Sequence, residues 1–129
     1  MNGNKEDYIN YRISKSSEIF NDAKLLSDNE RWNSCVNRLY YSSFYLVSAL
    51  IHKNGFKAES HNGTKTQFNL HYVKSKLISI ESGKLYANLF DWRQESDYAD
   101  FIDFEKDFVL DLIPKVEIFN SQILKLINE

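Results

Sequence analysis

The stretch ERWNSCVNRLYYSSFYLVSALIHK, residues 30–53, contains neither glycine nor proline and carries apolar side chains at helical intervals. Val36, Leu39, Tyr40, Val47, Leu50 and Ile51 form one stripe, and Phe44 and Leu46 widen it beyond half the circumference. A helix apolar on so many sides is central to a domain or shared with a second subunit. Asn54-Gly55-Phe56 should close it, with the glycine in the left-handed C-terminal position and the phenylalanine making the hydrophobic contact that follows.

Helices are predicted on both sides of this one. Upstream, Tyr8, Tyr11, Ile19, Phe20, Ala23 and Leu26 give an apolar face to a helix over about Asp7–Leu26. Ser27-Asp28-Asn29-Glu30 ends it and has the form of a capping box for the helix after it. Downstream, a loop over Lys57–Gly63 leads to a second such box, Thr64-Lys65-Thr66-Gln67. That box opens a third helix through Phe68, Tyr72, Val73 and Leu77, which Ser82-Gly83 breaks. A fourth helix begins near Lys84, with Leu85, Leu89 and Trp92 on one side and Tyr86, Phe90 and Arg93 beside them. The last, Phe104–Ile127, carries Phe108, Leu112, Val116, Phe119, Ile123 and Leu126; Pro114 predicts a kink or restart within it. One proline and four glycines are too few for the turns of an all-β chain. The expectation is an all-α fold, an antiparallel bundle of four to five helices forming a single domain over residues 1–129.

Composition narrows the function. With 43% hydrophobic and 15% aromatic residues the chain can bury a core, and a net charge of -2 excludes a uniformly basic nucleic-acid coat. Cys35 is the only cysteine, so neither an internal disulfide nor a thiolate zinc cluster is expected. The polar Met1-Asn2-Gly3-Asn4 gives no secretory signal, and Leu39–Ile51, interrupted by serines and tyrosines, is too short to span a bilayer. A cytoplasmic protein without membrane association is expected.

Chemistry could reside on two helices and a loop. Arg38, Tyr41, Ser42 and Tyr45 stand three, four and seven residues apart. An arginine in an apolar helix needs a partner: a carboxylate on another helix, or a bound anion clamped between tyrosine hydroxyls. Arg93 and Asp97 are one turn apart, a spacing first explained by a solvated ion pair. His52, His61 and His71 lie too far apart in sequence for a helix-borne metal pair, so no metal site is expected. His61, in Ser60-His61-Asn62-Gly63, is either a hydrogen-bonding anchor or a general acid or base. The middle of the chain is basic, whereas Asp97, Asp100, Asp103, Glu105, Asp107 and Asp111 make the stretch before and into the last helix acidic. The helix macrodipole accounts for several of these acids.

Taken in order, Asn37-Arg38-Leu39-Tyr40-Tyr41, Ala49-Leu50, Gly55, Ser60-His61-Asn62-Gly63, and Arg93 with Asp97-Tyr98 resemble the HEPN (higher eukaryotes and prokaryotes nucleotide-binding) domain family, in its small stand-alone prokaryotic branch. The likeness covers nearly the whole chain. It implies a helical bundle that homodimerises, often paired with a minimal nucleotidyltransferase in toxin–antitoxin or defence modules, and needing no cofactor. It further implies a binder of nucleotide, RNA or that partner protein, with Arg38, Tyr41, Tyr45, Arg93 and Tyr98 as contacts. Many members are metal-independent ribonucleases in which a histidine follows the arginine by four to six residues. Here Asp97 occupies that region instead. A ribonuclease would therefore have to use Arg93 with Asp97 or with His61; a non-catalytic scaffold is the remaining alternative.

Overall fold

The computed structural model describes residues 4–98, of Tyr98 the backbone alone, and residues 103–129. Five α-helices carry the fold: α1 (Lys5–Asp28), α2 (Trp32–Lys53), α3 (His61–Phe68), α4 (Ile80–Tyr98) and α5 (Lys106–Ile127). A π-helical turn, Asn69–Val73, continues α3. No strand occurs among the described residues. The helices pack together as a bundle, as the apolar periodicity predicts.

The centre is α2, which packs against α1, α3, α4 and α5. Half of its residues are buried, among them Val36, Leu39, Tyr40, Val47, Leu50 and Ile51. Its C-terminus closes as expected: Gly55 adopts φ +83°, and the Phe56 and Gly55 amides donate to the carbonyls of Ile51 and His52 at 3.1 Å each. The Lys53 ammonium donates to the Ile127 carbonyl and so ties the ends of α2 and α5 together. A buried polar seam joins three helices. Ser16 donates to the Ser42 carbonyl (2.6 Å), Ser43 to Asn120 Oδ1 (2.7 Å), and Asn120 to the Ser42 hydroxyl (3.1 Å).

Several expected boundaries are corrected. The capping box at Ser27–Glu30 does not form: Ser27 is the buried last turn of α1, and Glu30 takes a left-handed φ of +58° in the tight link to α2. The capping box that does form lies at the other end of α1, where Asn4 Oδ1 accepts from the Asp7 amide at 2.8 Å and Asp7 reaches back to the Asn4 amide. Similarly, α3 starts three residues before Thr64, because the Ser60 hydroxyl accepts from the Gly63 amide at 2.9 Å.

Ser82-Gly83 breaks nothing. Ser79 caps there through its hydroxyl, which accepts from the Ser82 amide at 3.1 Å, and α4 runs through both residues. Gly83 is needed for packing, since a Cβ there would lie 2.9 Å from both methyls of Val73. Pro114 causes no restart; α5 is one helix from Lys106 to Ile127. No helix among the described residues is long and apolar enough to cross a membrane.

Candidate phosphate-binding site

Tyr40 lies at the middle of the site. Its position in the α2 stripe buries the ring completely, yet a buried phenol still requires a partner for its hydroxyl. That partner is His61, whose Nδ1 lies 2.8 Å from the Tyr40 oxygen. Burial pushes the Tyr40 phenol up to about 12, so it remains protonated. His61 is pushed below the ordinary histidine value, first by burial and then by the positive charge of Arg93. A neutral imidazole either accepts the Tyr40 proton at Nδ1 and carries its own on Nε2, or donates Nδ1–H to the phenol oxygen and leaves Nε2 free. Packing holds the ring: Phe44 stands 4.5 Å and Tyr41 5.6 Å from it, centroid to centroid. His61 is thus the first residue of a helix, not a loop residue, because Ser60 supplies the cap.

On the other side of Tyr40 lies Arg93 of α4. Its guanidinium carbon is 5.3 Å from the Tyr40 ring centroid and 5.9 Å from that of Phe90. The expected pair with Asp97 is present, Nη1 to Oδ2 at 3.4 Å, but it is not the solvated pair the spacing suggests, for Arg93 is only 6% exposed. Its Nε is buried without a hydrogen-bond partner, and the fully buried Tyr86 ring stacks on Tyr40 at 6.0 Å. Burial raises the Tyr86 phenol well above its ordinary value.

A polar chain continues from Arg93 to Arg38. Asp97 Oδ1 accepts from Asn37 Nδ2 at 3.2 Å, and Asn37 Oδ1 accepts from Arg38 Nε and Nη2 at 3.1 and 2.8 Å. The Arg38 guanidinium lies 4.9 Å from the Tyr41 ring centroid. The carboxylate partner expected for Arg38 is therefore not found: among the described residues it has no ion pair and bonds a neutral carboxamide. Arg38, Asn37 and Asp97, with Ser34 and Ser96, line a cleft of about 310 Å³.

Arg38, Tyr41, His61, Arg93 and Asp97 thus come together. Two expected members do not join them. Ser42 turns the other way into the buried seam, and Tyr45 packs under the guanidinium of Arg12, 5.0 Å away. The Tyr98 side chain and Asp100 lie outside the described residues. His52 packs on Tyr8 and His71 on Phe56, each apart from His61.

The HEPN domain family model matches residues 9–126 of this chain. The chain belongs to the HEPN domain family. A UPF0332 protein of Thermotoga maritima is 42% identical over 125 residues, covering 97% of this chain and 95% of its own. A second UPF0332 protein, from Archaeoglobus fulgidus, is 25% identical over 95% of this chain and 98% of its own. A Methanocaldococcus jannaschii protein named "Putative toxin MJ0142" is 26% identical over 88% of this chain and 77% of its own.

Within this HEPN domain, sequence reasoning passed over Tyr40, which its spacing assigned to the core, and Asn37, which serves as the bridge. A signal for Tyr40 existed in its hydroxyl, since a phenol in the core must point to a donor or acceptor. Asn37 offered none; only the approach of α4 gives it Asp97.

Proposed function

We propose that this HEPN protein binds RNA through a phosphate held at the Arg38–Asn37–Asp97–Arg93 cluster, as one component of a toxin–antitoxin or defence module. The observation that carries this reading is the state of Arg38. Its charge meets a neutral carboxamide and an aromatic face, and among the described residues it forms no ion pair, Asp97 in the wall of the same cleft being held by Arg93 and Asn37. A guanidinium so presented suits a phosphate, which it can bind with two parallel N–H bonds. Arg93, sealed behind it, contributes charge and holds Asp97, and through Asp97 it sets Asn37 and Arg38. The relative named as a toxin supports the wider setting. A homodimer and a minimal nucleotidyltransferase partner belong to the same proposal.

The test is binding of labelled single-stranded RNA as salt is varied. A phosphate contact at Arg38 predicts that Arg38→Ala weakens binding and lowers the slope of log K against log salt by about 1. Equal slopes for the variant and the parent would contradict it.

One observation favours a second reading, metal-independent RNA cleavage. His61 is shifted towards its neutral form by burial and by Arg93, and is oriented by Tyr40. In the tautomer that donates Nδ1–H to the Tyr40 oxygen, Nε2 is unprotonated and can take the proton of a 2′-hydroxyl while that oxygen attacks phosphorus and the 5′-oxygen leaves. The leaving oxygen needs a proton donor, and the two other histidines pack elsewhere. Binding is therefore the first reading. Appearance of 2′,3′-cyclic phosphate ends without divalent metal, lost in His61→Ala, would reverse that order.

A further inference from the structure

Another arginine combines the unsatisfied nitrogen seen in Arg93 with the lack of an ion pair, among the described residues, seen in Arg38. Arg12, on α1, lies between two tyrosine rings, 4.8 Å from the centroid of Tyr8 and 5.0 Å from that of Tyr45. Its Nη1 is buried without a hydrogen-bond partner, and among the described residues it has no ion pair. Tyr8 continues the stack onto His52, ring centroids 4.4 Å apart, and is itself 38% exposed. Beyond His52 opens a cleft of about 450 Å³ whose walls include Lys5, Tyr8, His52, Phe56 and Lys57, with no acidic side chain among them. Of the nearest acids of α1, Asp7 reaches back to the Asn4 amide, and Glu6 lines an adjoining cavity with Lys5 and Lys53.

These groups extend the line of the first site. Arg38, Tyr41, Tyr45 and His52 follow one another along the partly exposed side of α2. Fourteen residues of α-helix separate Arg38 from His52, roughly 21 Å at 1.5 Å per residue. Cations and aromatic rings alternate over that distance: Arg38 on Tyr41, Arg12 on Tyr45 and Tyr8, then the exposed His52 ring and the two lysines. Such alternation suits a flexible polyanion with flat bases, because every base has a face to stack and every phosphate needs a cation. A duplex hides its base faces. A second copy of this chain laid on the same surface would bring unpaired cations towards unpaired cations.

We infer that a single strand of RNA runs along α2, from the Arg38 site over Arg12 to a second phosphate- and base-binding cleft formed by Lys5, Tyr8, His52 and Lys57. The inference rests on the RNA reading proposed above, extending it from one phosphate to a path several nucleotides long.

Fluorescence anisotropy on the full chain tests it, using a single-stranded RNA of about twelve nucleotides, long enough to cover both sites, and a dinucleotide. Lys5 and Lys57 are exposed, so the Lys5→Ala/Lys57→Ala variant should fold normally, as a thermal melt would verify. For the long RNA its salt slope should fall by about 2. His52→Ala, which removes the exposed ring at the end of that stack, should weaken the same RNA about tenfold, the worth of one stacked base. Neither variant should change dinucleotide binding, whereas Arg38→Ala should weaken both ligands. If only Arg38→Ala has an effect, the second cleft is not an RNA site and the first reading stands; if no variant has an effect, both fail. Equal affinity for duplex RNA overturns the single-strand path. So does a shift in monomer–dimer equilibrium, by sedimentation, in variants that bind RNA as the parent does.

Discussion

Arg38 and Arg93 are joined by two side chains, yet the fold treats them in opposite ways. Arg93 is set inward, its guanidinium packed on Tyr40 and Phe90 and its Nε unpartnered. Arg38 stays half-exposed, held in place by Asn37 and Tyr41 at the edge of a cleft. Burying a guanidinium is costly unless a paired charge and close contacts offset the lost hydration, as Asp97, Tyr40 and Phe90 do for Arg93, whereas a partly exposed one keeps its hydration and can exchange it for a ligand. The comparison therefore separates a cation that shapes the site from one that meets the ligand.

The largest effect should come from removing the inner one. Arg93→Ala leaves Asp97 without its pair and a void beside Tyr40, and should cost about 2–3 kcal/mol of stability, the upper part of the range for single substitutions. Urea unfolding measures this. The same substitution at Arg38 should cost only about 0.5 kcal/mol, because Arg38 is the half-exposed end of the polar chain and its loss leaves no charge unpaired, only the neutral Asn37 Oδ1 without its donor.

Moving α4 without touching either arginine sharpens the contrast. In an ordinary helix interior alanine is favoured over glycine by about 1 kcal/mol. At Gly83 the new methyl would meet Val73 at 2.9 Å. Gly83→Ala should instead destabilise by about 1–3 kcal/mol, the usual cost of overpacking. Because α4 carries Arg93 and α2 carries Arg38, NMR shifts in this variant should spread through Arg93, Asp97 and Tyr40 before they reach Tyr41.

A smaller effect concerns His61. Its proton affinity is lowered by burial and by Arg93, while Arg38 is not among the causes. Arg93→Gln should therefore raise the imidazole pKa measured by NMR titration, and Arg38→Gln should leave it where it is. The sign for stability follows. The folded state binds the proton less well than the unfolded chain, so this contribution is complete above the ordinary histidine value of about 6.5 and is lost as pH falls from there to the folded value. His61→Phe should flatten that part of the profile.

Much of the bundle can be read from the chain, because burial leaves a periodic trace. The stripe Val36–Ile51 and the Asn54-Gly55-Phe56 stop are both where the pattern puts them. Caps were less legible. Ser27-x-x-Glu30 and Asn4-x-x-Asp7 both offer a hydroxyl or amide and a carboxylate three residues apart, and only packing decides that Ser27 remains inside α1. Gly83 looked like a break because its reason for being small, Val73, is a tertiary contact. For the site, Arg38, His61 and Arg93 were legible as residues whose chemistry demands a partner. Asp97 was legible as the partner of Arg93 from their one-turn spacing, but Asn37 and Tyr40 were not legible as partners, since they acquire those roles from the approach of α4 and α3 to α2.

The most direct test of the account is a paired measurement on Arg38→Ala: RNA affinity by anisotropy, and melting temperature by circular dichroism. Losing one charge-assisted contact should weaken binding about tenfold or more, while the melting temperature stays that of the parent protein. A variant that melts much earlier yet binds RNA as tightly as the parent would show that Arg38 serves the fold and not the ligand.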